Sequence, residues 1–279
     1  VTEAFYRNFD FENFLKDIKG LDREHYEYIN LQVRLMKLYN ERENVKNYNE
    51  LKEFILGSIE KFSNAEKWFL SSALFGFVLN RYILSSSKEL LLEMANIRKT
   101  QLANVKFNTE GLAPLQAGVF RNIIEIFVIL GDIDFALDVV NKHLGDIEEN
   151  KRKSSFSYAM ALIEDSRGNN EEVLKFIRDV EFTDYQAKYS AKIVAIVAFY
   201  NLGYIEEGLS AIDSMKHFVK ETNEFTGAVK MNLAARVATI ERLYKIKANP
   251  EKYSLADITQ LEETAVTYLA ARKEWFLAK

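Results

Sequence analysis

The chain has 279 residues, 48% of them hydrophobic, a length that allows one extended domain or two compact ones. It contains no cysteine, which excludes disulfides, thiolate metal sites and cysteine nucleophiles. The formal net charge of −4 gives no electrostatic reason to expect nucleic acid as a partner.

Turn-forming residues are scarce, with two prolines and eleven glycines in the whole chain. A β or α/β protein of this size needs more of them, so the composition predicts an all-α chain. No uncharged apolar stretch reaches the roughly 18 residues of a transmembrane helix, and no signal peptide opens the sequence, so we expect no membrane insertion. Together with the lack of cysteine, these features favour a cytoplasmic protein.

The first 105 residues show helical periodicity almost throughout. One helix face carries apolar residues at the i, i+3, i+4, i+7 spacing: Phe11, Phe14, Leu15 and Ile18. Gly20 ends that helix. Further helices are predicted at about 22–41, 45–61, 64–84 and 86–105. Either Ser63 or Asn64 can cap the third of these by accepting an early backbone hydrogen bond.

From residue 112 one pattern occurs three times: an apolar helix, a break at glycine and a more amphipathic helix. The three glycines are Gly131, Gly168 and Gly203, which lie 37 and 35 residues apart. Repeats of this period are typical of solenoids, in which each hairpin buries its apolar faces against its neighbours.

A last helix pair is predicted at about 224–247 and 255–278. Before its second helix, Ser254 and Asp257 resemble a capping box in which Asp replaces the usual Glu. No Gly/Ser-rich linker divides the chain. The sequence therefore predicts an all-α fold, a right-handed α-α superhelix of about six stacked helical hairpins, in a single domain over residues 1–279.

Both ends of the chain are apolar. Four phenylalanines crowd the beginning: Phe5, Phe9, Phe11 and Phe14. The chain starts at Val1 and closes on Trp275-Phe276-Leu277, so we expect a fragment of a longer protein, with a processed protein as the alternative. Trp68 and Trp275 are interpreted as core residues, with an exposed docking patch at the C-terminal end as the alternative.

The three copies resemble tetratricopeptide repeats, most clearly over about 112–220. In that family a small residue follows the glycine by five positions, as Ala136 and Gly208 do here, whereas Val173 departs. An aromatic residue is common four positions before the glycine. Phe127 and Phe199 fit this position, and Glu164 departs. The resemblance implies that the first helices line a concave surface on which extended peptides or partner helices dock.

Some tetratricopeptide domains bind a terminal carboxylate of a peptide through a basic residue and an adjacent Asn on their first helices. Arg121 and Asn122 match these positions in the first copy, but the other two copies do not. A carboxylate needs several convergent donors to offset its desolvation, so a groove of mixed polarity is the broader prediction. Its residues are Arg121, Asn122, Glu125, Tyr158, Tyr200 and Asn201.

No catalytic constellation is evident, since the phosphate-binding glycine loops and the nucleophile elbow are missing. His143 lies on an apolar stripe and is interpreted as a packing residue, because no histidine–carboxylate set stands out as a metal site. The basic run Lys151-Arg152-Lys153 is interpreted as a solvated loop. We expect no enzymatic activity, no cofactor and no metal.

The sequence thus predicts a non-catalytic scaffold that presents a concave groove to a protein or peptide partner. One alternative is a peptide-sensing regulatory domain whose effector domain lies outside this chain. The other is a structural protein that forms homo-oligomers through its aromatic-rich ends.

Overall fold

The computed structural model describes residues 9–20, 22–41, 43–181, 185–224 and 226–268. These residues form thirteen α-helices and four short 3-10 turns, and contain no strand. The prediction of an all-α chain is therefore confirmed. Phe5 and the Trp275-Phe276-Leu277 segment, with the interpretations given to them, lie outside the described residues.

The chain divides into two compact units, Val1–Ala113 and Pro114–Lys279. The assignment of residues 1–279 to one domain stays a prediction. The helices of the first unit are α1 Phe11–Asp17, α2 Arg23–Asn40, α3 Val45–Ser58, α4 Asn64–Ser85 and α5 Lys88–Asn104. Those of the second are α6 Ala117–Ile129, α7 Ile133–His143, α8 Glu149–Ser166, α9 Asn170–Arg178, α10 Tyr185–Leu202, α11 Ile205–Glu221, α12 Gly227–Ala248 and α13 Leu255–Tyr268.

Side-chain caps set two helix starts that the sequence predicts. At α4, Ser63 Oγ accepts from the Glu66 amide at 3.3 Å, and the Ser63 amide donates to Glu66 Oε2 at 2.8 Å. At α13, Ser254 and Asp257 exchange the same two bonds at 3.3 and 3.0 Å. Each reciprocal pair satisfies two amides that a helix start leaves without a partner, so the shorter Asp serves here as Glu does in the usual box.

In the first unit, α2 packs on α3 and α4 packs on α5. Between α4 and α5 lies a buried polar network. The Arg98 guanidinium stacks 3.7 Å from the ring centre of Phe75 and donates to Gln101 at 2.6 Å, and Gln101 donates to Ser71 at 3.0 Å. Burial lowers the pKa of Arg98 to about 10. Nearby, the half-buried Trp68 packs edge-on against Phe107.

In the second unit, consecutive helices pack in neighbouring pairs, and the first helices of successive pairs also touch, α6 on α8 and α8 on α10. The three predicted glycine breaks share one geometry, with φ between +76 and +78°, a conformation that costs glycine little and other residues more. In each copy the amide after the glycine donates to a carbonyl five residues earlier: Asp132 to Phe127, Asn169 to Glu164 and Tyr204 to Phe199, all at 2.9 Å.

Where the family pattern expects an aromatic residue, Glu164 has a local function. Its carboxylate is almost fully buried and accepts from Asn169 Nδ2 at 2.6 Å and from Arg167 at 2.7 Å. The side chain thus ties the end of α8 to the turn that follows. Elsewhere the turn is packed by aromatic rings, as where Phe127 contacts Phe135.

The interpretation of Lys151-Arg152-Lys153 as a loop is wrong, since all three residues lie in the first turns of α8. Arg152 donates to the carbonyls of Gly145 and Ile147, and Lys151 pairs with Glu148 at 2.6 Å. These bonds stabilise the helix start against the repulsion among the three cations of the run. The Glu149 carboxylate in the first turn also interacts favourably with the positive end of the helix dipole.

Candidate functional site

The six predicted groove residues lie on the first helices of three successive pairs. Arg121, Asn122 and Glu125 belong to α6, Tyr158 belongs to α8, and the remaining two belong to α10. The structure does not bring them together at one place. They divide into a cluster between α6 and α8, a buried contact between α10 and α12, and a polar bond between α9 and α10.

The first cluster joins α6 to α8. Tyr158 is 1% exposed, and its hydroxyl donates to Glu125 Oε1 at 2.7 Å. Arg121 lies over the same ring, 5.9 Å from its centre. Burial, then the neighbouring Glu125 carboxylate, raises the pKa of Tyr158 well above its usual value. Tyr158 is therefore a neutral internal support that holds Glu125 and flanks Arg121.

Beside Tyr158 is a pocket of about 20 Å³, which is room for about one water molecule. Its lining includes Arg121, Lys151, Ser154 and Glu181. Ser154 Oγ donates to the Glu181 carbonyl and accepts from the Glu181 amide, both at 2.9 Å, which holds the segment after α9 against α8. The residues that line this recess therefore include two basic ones, Arg121 and Lys151, and its volume limits it to about one water molecule.

Sequence reasoning missed Lys151 and Ser154 as neighbours of the predicted site. The signal was available, because residues 151, 154 and 158 follow the i, i+3, i+7 spacing of one helix face. The loop interpretation of the basic run concealed it. Once α8 is extended back to Glu149, Lys151 falls on the same face as Tyr158.

Tyr200 belongs to the contact between α10 and α12. It is 5% exposed, its ring meets Tyr244 edge-on at 5.2 Å, and burial raises its pKa. Lys247 lies 4.0 Å from the ring centre and donates to the Tyr200 carbonyl at 2.6 Å. The ring of Tyr200 is thus engaged inside the fold.

Asn201 is half-buried and donates to Asn170 Oδ1 of α9 at 2.9 Å. Asn122 is also half-buried, on the same helix as Arg121 and Glu125. The polar surface of the predicted set is therefore supplied by short or charged side chains, because both tyrosine rings are internal.

The structure contains two histidine–carboxylate pairs that the sequence pattern did not predict, because each spans a helix end. His143 Nδ1 lies 2.8 Å from Asp146 Oδ2, and His25 pairs with Asp22, which caps α2. Both pairs are local, at i, i+3 spacing. In the described ranges, no group of three or more His, Asp or Glu residues is placed to hold a metal ion.

Among the helices of the described residues, none combines the length and apolar character needed to cross a membrane. No protein-family model matches the chain, no curated protein matches its sequence, and no solved structure matches its fold.

Proposed function

We propose that this chain is a non-catalytic scaffold that binds a protein or peptide partner along the first helices of its second unit. The observation that supports this most directly is the serial contact of α6 with α8 and of α8 with α10. Each of these helices is followed by a partner helix that packs against it. Such a row leaves one side of the first helices for a ligand, as in helical-repeat proteins.

The finer architecture that we propose is a right-handed α-α superhelix of the tetratricopeptide type. Its support is the repeated turn, in which three glycines have the same positive φ and the same hydrogen bond follows each one. Turns of the same geometry would give the three pairs similar angles between their helices. Repetition at 37 and 35 residues would then rotate successive pairs in one direction.

The proposed binding surface is centred on Arg121, Asn122 and Glu125 of α6, with Asn201 further along the row. It mixes a cation, a carboxylate and two amides, which suits the backbone and polar side chains of an extended peptide or a partner helix. Tyr158 and Tyr200 are supports beneath this surface. The recess beside Arg121 is too small for a side chain of the partner, so the contacts would spread over the surface.

Affinity capture from a lysate of the source organism, with quantitative mass spectrometry, tests this proposal. The test variant is Arg121→Ala/Asn122→Ala/Asn201→Ala, which leaves the buried tyrosines unchanged. The control variant is Arg178→Ala/Asn223→Ala, which removes an exposed Arg and an exposed Asn elsewhere in the same unit. We expect the test variant alone to lose specific partners. Identical partner sets for the wild type and the test variant would contradict the proposal.

A further inference from the structure

An apolar cleft of about 350 Å³ lies between the C-terminal half of α11 and the N-terminal half of α12. Val219 and Val237 form its buried part, while Ala234 and Met231 are exposed, Met231 by 76%. Its volume falls in the range of ligand pockets, about 300–1,000 Å³. Because exposed apolar surface is unfavourable in water, an apolar occupant that covers this cleft is stabilised.

The charged residues that line the cleft are all lysines: Lys216, Lys220 and Lys230. Lys216 is neutralised by Glu241, which lies 2.7 Å away. Lys230 donates to the backbone carbonyl of Lys220 at 3.2 Å. In the part of the chain that the structure describes, neither Lys220 nor Lys230 forms an ion pair with a carboxylate. The rim is therefore positive, and it favours an occupant that is both apolar and acidic.

The same chain carries such a helix on another surface. On α13, Leu255 is 80% exposed and Ile258 is 38% exposed, and the exposed Glu262 follows at i+7 from Leu255. The helix contains three carboxylates and neither Lys nor Arg, and one of the three, Asp257, is paired with Arg242 of α12 at 2.9 Å. The buried residues Leu261 and Ala265 lie beside the exposed face, i+3 and i+7 from Ile258, so Ile258 stands at its edge and Leu255 is its most exposed apolar residue. Thus α13 presents outward an apolar patch flanked by negative charge.

We infer that α13 of one copy docks into the cleft between α11 and α12 of a second copy. Leu255 and Ile258 enter between Val219 and Val237, and Glu262 meets the lysine rim. Ala234, with its small side chain, lets the backbone of the incoming helix approach. Residues 269–279 do not provide this charge match, since their sequence is basic.

This contact joins two different surfaces, so it is head-to-tail. When two copies form one such contact, one copy keeps an unused cleft and the other keeps an unused α13. Further copies can bind to these surfaces until a closed ring forms or no free copies remain. Self-association should therefore grow with concentration, ending at a dimer where two copies exchange both contacts and continuing to larger assemblies where they form one. It should weaken as salt rises, because salt screens the attraction between the acidic helix and the lysine rim.

Sedimentation velocity over a concentration series tests the inference with two variants at exposed positions, Ala234→Glu in the cleft and Leu255→Glu on α13. Each variant loses one of the two surfaces, so each should stay monomeric alone. When the two are mixed, the intact α13 of the first meets the intact cleft of the second, and a 1:1 dimer should form. Leu84→Glu, at an apolar residue of the first unit that is 81% exposed, should associate like the wild type.

Charge reversal provides a second measurement. Lys220→Glu/Lys230→Glu should weaken association by about tenfold or more, since like charges then face each other. Mixing this variant with Glu262→Lys/Glu263→Lys should restore it. A wild type that is monomeric at every concentration would overturn the inference, and so would an associating wild type whose mixed variants fail to pair. Either result leaves the partner surface at Arg121 unaffected.

Discussion

Replacing Gly208 with alanine should destabilise the second unit, because no space exists for a methyl group at this position of α11. An ideal Cβ on Gly208 would lie 2.1 Å from Cε1 and 2.3 Å from the hydroxyl oxygen of Tyr244. Optimal contacts between such atoms are about 3.5–4.0 Å. Tyr244 is 0% exposed, and its hydroxyl donates to the Ile196 carbonyl of α10. Its ring therefore cannot move away without losing that bond and its packing.

The size of the effect follows from three contributions. Overpacking of a core costs about 1–3 kcal/mol, and loss of the Tyr244 hydrogen bond costs about 1 kcal/mol. Alanine recovers up to about 1 kcal/mol through its better helix propensity. We expect Gly208→Ala to lower the free energy of unfolding by about 1–3 kcal/mol, a large part of the roughly 5–15 kcal/mol of a typical domain.

Urea unfolding followed by circular dichroism measures this change. The matched control is Gly76→Ala in the interior of α4, where an added Cβ would meet nothing within 4 Å. That variant should be stabilised by about 0.5–1 kcal/mol. Tyr244→Leu removes the ring atoms that the methyl group would strike, so Gly208→Ala should cost nothing in that background. Equal effects of the two glycine substitutions, or a penalty that persists beside Leu, would refute the steric explanation.

Four further predictions concern three buried polar side chains. Tyr189→Phe should leave stability unchanged or raise it by about 1 kcal/mol, because among the residues that the structure describes the buried Tyr189 hydroxyl has no hydrogen-bond partner. Tyr158→Phe should cost about 1–2 kcal/mol, because it removes the hydroxyl that donates to Glu125. Equal changes of the two variants in thermal denaturation would contradict this. Burial raises the pKa of Tyr189 from 10.0 to about 12, so the stability that its neutral form contributes is complete below pH 10.0 and is lost as the pH rises towards 12. Urea titrations across this interval should give a shallower decline for Tyr189→Phe, and parallel curves would refute the assignment. Arg98→Lys should lose about 1–2 kcal/mol, because an ammonium group cannot stack on Phe75 as the planar guanidinium does; full stability in urea would argue against a packing function for Arg98.

The helices were accessible from the sequence because apolar spacing and capping residues act locally. The helix predicted at about 64–84 is Asn64–Ser85, and the one at about 86–105 is Lys88–Asn104. The glycine turns were accessible for the same reason. The sequence could not show which residue of another helix packs against each of these positions. Gly208 occupies the small position that the family pattern places five residues after the glycine, and the structure shows that the residue against it is Tyr244 of the next pair. Periodicity places a residue on a face without specifying the helix opposite it.

The difference between the face on which a residue lies and the helix that it contacts also explains which predicted site residues the structure brings together. Three predicted site residues were chosen by their spacing along one helix, and they do lie together on α6: Arg121, Asn122 and Glu125. The two tyrosines that were assigned to the groove, Tyr158 and Tyr200, are buried. A tyrosine between apolar neighbours can pack its ring against the next helix while its hydroxyl hydrogen-bonds to a group there. Tyr158 does this with Glu125, and Tyr244 does it with the backbone of α10. Under the proposed function, recognition along the first helices would then depend on side chains that hydrogen-bond and carry charge, so the proposal predicts a partner selected by its polar groups more than by its apolar area.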